Sequence, residues 1–376
     1  HGNHTEFDQL ISLIRDLSAK LKRTVGIIQD LQGVKIRLGT FRGGSAYLKT
    51  GQIFVLSMEE VEGDENIASV NYKQLSQDIQ VGYKIFIDDG LIQLEVLDKN
   101  RKRIRCRVLE GGMARDHKGM NLPGVRLNLP LPTEKDKEDL FFGIKKEVDY
   151  IAVSYVTKAM DLVAVKEIIR GENSDIPVIA KLESAEAIDN LDEILQAANG
   201  VMVARGDLGV EVPLEDVPIL QKQIIRKANQ LGIPVITATQ MLESMVTNPR
   251  PTRAEVSDVA NAIFDGSDAV MLSAETSIGD YPVRAIRTMA QIALRSEDNL
   301  DWELLRLAHR GWTKPVFSDV ISEAACRAAE NLKAKAIVAF TQSGFTARLI
   351  SKYRPIAPII AFTPHQKIKR RLGLCW

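Results

Sequence analysis

The sequence predicts an α/β chain built around a (β/α)8 TIM barrel, and two observations carry that prediction. Short continuous apolar runs alternate with amphipathic helical stretches, the pattern of parallel strands covered on both faces. Each run also ends in polar residues, and functional groups at the carboxyl ends of successive parallel strands mark the active face of such a barrel. The runs are "TVGIIQDLQ", "VDYIAVSYV", "IPVIAKLES", "NGVMVARGD", "IPVITATQM" and "SDAVMLSAET". Their polar ends are Asp30, Ser154, Lys181 with Glu183, Arg205 with Asp207, Thr239 with Gln240, and Ser273 with Glu275. A Rossmann-type sheet would open with G-x-G-x-x-G, which the sequence lacks. The six runs fall short of eight, so the first two strands are expected to be missing before His1.

Helical stretches fill the gaps. "DLVAVKEIIRG" and "VPILQKQIIRKANQLG" carry apolar residues at helical spacing, and Gly232 stops the second. From Val34 to Pro130 the pattern changes. "YKIFIDDGLIQLEVLDKNRKRIRCRVLEGG" alternates apolar and polar residues around Asp-Gly and Lys-Asn turns. This predicts a small β-barrel domain inserted in a barrel loop, placed to act as a lid. Thr133 then caps a helix opening "EKDKEDL". From about residue 299 a helix, strand, loop, helix and strand predict a further α/β unit, expected to be incomplete at "RRLGLCW". The expected organisation is 1–33 with 131–298 as the barrel, 34–130 as the lid and 299–376 as the C-terminal α/β domain.

The chain has 376 residues, 45% hydrophobic and 26% charged, which suits a globular protein with a large core. Its 49 basic side chains balance 49 acidic ones, so no global field draws it to nucleic acid or to a membrane surface. No apolar run is long enough to span a bilayer, and no signal peptide opens the chain. Cys106, Cys326 and Cys375 are far apart and in no metal spacing. They read as reduced thiols of a cytoplasmic protein, serving as small buried hydrophobes.

"NGVMVARGDLGVEVP" holds the densest chemistry. At a barrel strand end, Arg205-Gly206-Asp207 delivers side chains toward the central site. Gly206 lets a ligand approach the backbone, and Asp207 can bind a hard cation. Glu183, at the end of the preceding strand, is a second oxygen ligand; Mg²⁺ takes one or two carboxylates with ligand oxygens and water. Lys181 stands two residues before Glu183 and so shares its face. One cation, a metal and two acids suit a small anionic substrate. An adhesion role for Arg-Gly-Asp needs an exposed loop, and the apolar run before it argues against one. Spacing alone ends at a metal-dependent barrel enzyme acting on a small anion.

The sequence resembles the pyruvate kinase family over nearly its whole length. The most specific stretches are "VMVARGDLGVEVP" and "ATQMLESMVTNPRPTRAEVSDVANAIFDGSDAVMLSAETSIGDYP", supported by "IAKLES", "IDDGLI", "KGMNLPG" and "TQSGFTA". The resemblance implies phosphoryl transfer from phosphoenolpyruvate to ADP, giving pyruvate and ATP, by a homotetramer. It implies that Lys181 neutralises the phosphoryl group in flight and that Glu183 and Asp207 hold Mg²⁺ or Mn²⁺. The backbone at Gly206 and Asp207 would receive the substrate carboxylate, and Thr239 would aid proton delivery to the enolate. Arg37 and Lys118 match nucleotide-contacting positions. His1, with Gly2, matches the end of the family's R-x-N-x-S-H-G segment and is assigned to nucleotide binding. Without the residues before it, the chain is expected to be impaired. Aldolase-like relatives that share enolate chemistry would lack the inserted domain and "TQMLESM"; a non-catalytic regulatory chain would not need Lys181, Glu183, Asp207 and Thr239 together.

Two departures from the family pattern add expectations. Many members read D-T-K-G-P-E-I-R-T-G and need K⁺, whereas this chain reads "DLQGVKIRLG". Beside Asp30, Leu31 replaces a cation-ligating threonine and Lys35 stands where a glutamate is usual, so K⁺-independent activity is expected, the ammonium supplying the charge. Val34 replaces a proline. In the C-terminal unit, Thr341, Ser343, Gly344 and Thr346 of "TQSGFTA" resemble the family's effector phosphate loop, which implies a sugar-phosphate effector; a plain strand-to-helix turn is the alternative.

Overall fold

Six parallel strands lie in sequence order across one sheet: β1 (Ile28–Asp30), β2 (Tyr150–Val153), β3 (Val178–Leu182), β4 (Gly200–Ala204), β5 (Val235–Ala238) and β6 (Ala269–Val270). Every neighbouring pair is parallel, with Asp30 beside Ala152, Lys181 beside Met202 and Ala204 beside Ala238. All carboxyl ends therefore meet at one edge. The computed structural model describes residues 2–88, 90–125, 131–302 and 311–376.

The strands are continuous apolar runs because both faces are covered. Val178, Ala180, Leu182, Val201, Val203 and Val235 face outward against Leu162, Val165, Ile224 and Ile225 of the surrounding helices. Tyr150, Ala152, Ile179, Met202, Ile236 and Ala238 form a separate inner cluster. Strand alternation continues the inner row of β3 from Ile179 through Lys181 to Glu183. The same alternation takes β2 from Ala152 to Ser154.

Residues 34–88 and 90–125 build mainly antiparallel β-structure, in line with their alternating pattern, with Ile67–Ser69 running parallel to Ile53–Ser57. A six-stranded sheet has the order Ile67–Ser69, Ile53–Ser57, Arg103–Glu110, Ile92–Lys99, Lys84–Ile87 and Met120–Asn121. Ser45–Leu48 pairs with Gly112–Arg115 beside it. Phe54, Leu56, Ile85, Leu94, Ile104 and Cys106 fill its own core. The chain enters this unit after Leu31 and leaves it before Thr133. One carboxylate pins both crossings. Asp136, 1% exposed, accepts the Gly33 amide at 3.0 Å, the Thr133 amide at 3.0 Å and the Thr133 hydroxyl at 2.7 Å. Thr133 is also the N-cap of Glu134–Lys145, as the sequence predicts. Gly33 has φ +64, and a Cβ there would lie 2.9 Å from the Ser154 Cβ, so only glycine fits this crossing. Val34 packs against the core of the β unit.

In the C-terminal layer the helix Phe317–Asn331 leads into β7 (Ile337–Phe340), the helix Phe345–Ser351, β8 (Ile359–Phe362) and the helix Gln366–Leu372. β7 and β8 are parallel. Arg354 ties this layer to the barrel through Asp268 at 2.9 Å and the Gly266 carbonyl at 2.8 Å. Tyr150 donates to the Arg371 carbonyl at 2.9 Å, and Arg370 pairs with Asp149 at 2.7 Å. Cys106 and Cys326 are buried and unbridged, and burial pushes each thiol up to about 12.

Candidate active site

The polar ends of the strands converge. The Lys181 ammonium lies 2.9 Å from Glu183 Oε1 and 3.2 Å from Asp30 Oδ2, and donates to Ser154 Oγ at 2.7 Å. The Ser154 hydroxyl in turn donates a hydrogen bond to the Leu31 carbonyl at 2.8 Å. Glu183 Oε2 accepts the Tyr155 amide at 2.7 Å. Side chains of Lys181 and Glu183 are 12% and 2% exposed, whereas Asp30 is open to water. Burial alone would pull the Lys181 ammonium down; the Glu183 and Asp30 carboxylates outweigh it and hold the group above its ordinary value. Burial raises Glu183, and nearby Asp207 adds repulsion against the partial relief from Lys181.

β4 runs without a spacer into the helix Arg205–Glu211. That is why an arginine, a glycine and an acid follow the apolar run directly. The Gly206 amide donates to Thr239 Oγ1 at 2.7 Å, and Thr239 Oγ1 donates to the Ala238 carbonyl at 2.6 Å. Thr239 and Gln240 both have left-handed backbones, φ +67 and +52, a conformation uncommon for non-glycine residues. Glu275 is fully buried and holds the following loop, accepting the Leu242 amide at 2.9 Å and the Ser273 amide at 2.7 Å.

Arg205 departs from the expectation that the whole tripeptide serves the central site. Its guanidinium reaches Asp258 at 2.7 Å, Gln221 at 3.3 Å and the Thr239 carbonyl at 2.7 Å. It braces the loop that carries Thr239. No short-range signal marks this role, because its partners lie far along the chain.

Arg37 and Lys118 stand together on the β unit. The Leu38 amide donates to the Lys118 carbonyl at 3.0 Å, and Arg37 donates to the His117 carbonyl at 3.2 Å. Lys118 pairs with Asp88 at 2.7 Å. Between the β unit and the strand-end loops lies a cleft of about 300 Å³, lined by Val34, Leu122, Tyr155, Ser184 and Glu211 among others. Burial, with Asp207 adding, pushes Glu211 up to about 7, and an amide hydrogen bond from Leu122 opposes the shift. His1 lies outside the described residues. Lys35 is exposed, and Leu31 is 1% exposed within the barrel's apolar core. Thr341, Ser343 and Gly344 belong to the turn between β7 and the helix Phe345–Ser351, Thr346 to the first turn of that helix, and none of them joins the cluster around Lys181.

Among the described residues no group of three or more His, Cys, Asp or Glu gathers with metal-binding geometry. The buried Glu183 and the half-buried Asp207 repel each other, yet they are still the donor set Mg²⁺ takes when substrate oxygens and water complete its shell. Glu183 and Asp207 fit that requirement.

Residues 1–286 match the family model of the pyruvate kinase barrel domain, and residues 319–376 match that of the pyruvate kinase alpha/beta domain. The chain belongs to the pyruvate kinase family. A pyruvate kinase of Clostridium perfringens is 48% identical over the whole chain, which spans 80% of that protein. One from Geobacillus stearothermophilus is 49% identical, and the chain spans 65% of it. The crystal structure of a pyruvate kinase from Cryptosporidium parvum superposes with a TM-score of 0.95 at 38% identity, covering 100% of this chain and 78% of that one. Pyruvate kinases are phosphotransferases of glycolysis, and this chain shares their fold from barrel to C-terminal layer. No helix among the described residues is long and apolar enough to cross a membrane.

Proposed function

We propose that the chain transfers the phosphoryl group of phosphoenolpyruvate to ADP, using the cluster around Lys181. The observation that carries this is the largely buried Lys181 ammonium held between Glu183, Asp30 and Ser154 beside the Gly206–Thr239 loop. In the reaction the bond from phosphorus to the enol oxygen breaks and a bond to the terminal ADP oxygen forms. Lys181 neutralises charge on the phosphoryl group as it moves. Glu183 and Asp207 hold Mg²⁺, which supplies Lewis-acid charge to the phosphate oxygens when bound. The backbone at Gly206 and Asp207 receives the substrate carboxylate. A Cβ at Gly206 would meet Thr239 at 3.5 Å, an ordinary contact, so a ligand rather than the protein needs the glycine. The enolate left behind takes a proton at its methylene carbon, and Thr239 aids delivery from water.

Arg37 and Lys118 bind the nucleotide from residues 34–130, which act as an inserted lid on a barrel formed by 1–33 with 131–298; His1 is assigned to the same nucleotide. The Leu31 side chain offers no oxygen to a monovalent cation and Lys35 has no ion-pair partner among the described residues, which supports K⁺-independent turnover. The turn bearing Thr341, Ser343 and Gly344, with Thr346 at the start of the following helix, in the α/β unit 299–376, is assigned to a sugar-phosphate effector. A cytoplasmic homotetramer is the expected assembly, and the exposed Val338, Phe340, Ile360 and Phe362 on the two-stranded sheet are apolar surface such packing would cover.

Pyruvate formation from phosphoenolpyruvate and ADP with Mg²⁺, with and without K⁺, tests these assignments. It is run on the 376-residue chain and on one extended by the family's segment before His1. Equal rates in both buffers and loss of turnover in Lys181→Met are expected. A rate that collapses without K⁺ removes the Lys35 assignment; no pyruvate from folded protein in any form removes the kinase reading.

A further inference from the structure

A second cavity, of about 620 Å³, opens where the C-terminal layer meets the barrel. Its barrel wall includes Tyr150 at the start of β2, Pro177 just before β3 and Asn199 just before β4. The cavity therefore sits at the amino-terminal face of the sheet, opposite the edge where Lys181, Glu183 and Thr239 converge. Its size falls in the range of small-molecule sites.

The lining is strongly one-signed. Lys166 and Arg170 come from the barrel helix Ala159–Gly171; Arg348, Lys367 and Arg371 come from the C-terminal layer; Asp175 is the lone carboxylate. That acid is already neutralised, by Lys367 at 2.7 Å and Arg371 at 3.0 Å. Among the described residues Lys166, Arg170 and Arg348 form no ion pair. Lys166 donates only to the Ala197 carbonyl, at 2.5 Å. Burial, with Arg170 adding, lowers its pKa, as expected of cations gathered without an anion. The Arg371 Nε is buried and has no hydrogen-bond partner, a donor that costs free energy until something accepts from it. A cleft lined by one sign of charge concentrates counter-ions, and arginine forks match phosphate oxygens.

We propose that this cavity binds a small phosphate-bearing anion, held between Lys166 and Arg170 on the barrel and Arg348 and Arg371 on the C-terminal layer. Occupancy ties the two layers together across the face remote from the catalytic cluster. The site goes beyond the effector-loop assignment. Ser343 and Gly344 contribute only wall, and Thr341 and Thr346 do not line it.

The test is calorimetric titration with pyrophosphate, in metal-free buffer at two salt concentrations. The proteins are wild type, the double variant Arg170→Gln with Arg348→Gln, Thr346→Ala, and Lys181→Met. Arg170 is exposed and Arg348 half-buried, so the double variant is expected to fold; unchanged circular dichroism and melting without ligand check this. Lys166→Met serves as a second disruption. Binding that weakens with salt, falls at least tenfold in the double variant and in Lys166→Met, and persists in Thr346→Ala and Lys181→Met is the expected result. No binding to wild type, or equal binding to the folded double variant, overturns the proposal. Loss in Thr346→Ala would move the ion to the effector loop, and loss in Lys181→Met to the catalytic cluster; either also overturns it.

Discussion

Replacing Arg205 separates the bracing of the catalytic loop from its chemistry. Arg205→Ala removes charge-assisted bonds to Asp258 and the Thr239 carbonyl, both at 2.7 Å, and a weaker one to Gln221. Breaking a buried ion pair costs about 3–5 kcal/mol. The Arg205 side chain is 10% exposed but Asp258 is 34% exposed, so water recovers part of the lost charge and the lower end, about 3 kcal/mol, is expected. Thr239 keeps a left-handed backbone only while its surroundings impose it. Released from Arg205, the loop relaxes, and a displacement near 1 Å of a reacting group lowers turnover about 100-fold. Denaturant unfolding and steady-state pyruvate formation read the two effects. Arg205→Lys should keep the Asp258 pair and regain part of the stability. It cannot reach Asp258 and the Thr239 carbonyl in one fork, so kcat should stay low. A folded Arg205→Ala with wild-type kcat would refute the bracing role, as would full recovery of both quantities in Arg205→Lys.

Three other outcomes follow from particular contacts. Asp136→Ala leaves the Gly33 and Thr133 amides without their shared acceptor, and should cost about 2–4 kcal/mol with faster hydrogen exchange at both amides; unchanged exchange would show that the crossings are held otherwise. Glu211 is raised from 4.5 to about 7 in the folded chain, so its ionisation opposes folding. In metal-free buffer its contribution favours the folded state most below pH 4.5, declines as pH rises to about 7 and is flat above; denaturant unfolding of Glu211→Gln should lack that decline, and an identical profile would dismiss the group. For Asp319, burial pushes the carboxyl up, but hydrogen bonds from Lys352, the Lys314 amide and Tyr353 outweigh it and hold the group below 3.8. Its stabilisation is present above pH 3.8 and lost as pH falls through the lower folded value, and Asp319→Ala at pH 7 should cost about 3 kcal/mol, read by the same unfolding assay.

How far the sequence reaches is set by how far apart in the chain a contact's members lie. The six barrel strands are legible because burial on both faces demands continuous apolar runs, and Lys181 and Glu183 share a face because a strand repeats every two residues. The family-specific stretches supply the remaining residues of the proposed site in order. Arg205 is different. Its partners Asp258 and Thr239 stand 53 and 34 residues away, and nothing near it distinguishes a side chain aimed at a ligand from one aimed at a loop. Thr239 and Gln240 take positive φ with no glycine, asparagine or turn signature around them, because tertiary contacts rather than local preference impose that backbone. Asp136 reads locally as the capping partner of Thr133, and so it is. Its second carboxylate oxygen takes Gly33, 103 residues away, which turns an ordinary helix cap into the clamp on both crossings. The same limit hides the cationic cavity. Lys166 and Arg170 look like the solvated face of one helix, and Arg348, Lys367 and Arg371 like the ends of two others. Only the docking of the C-terminal layer onto the amino-terminal face of the sheet brings them together with a single carboxylate between them.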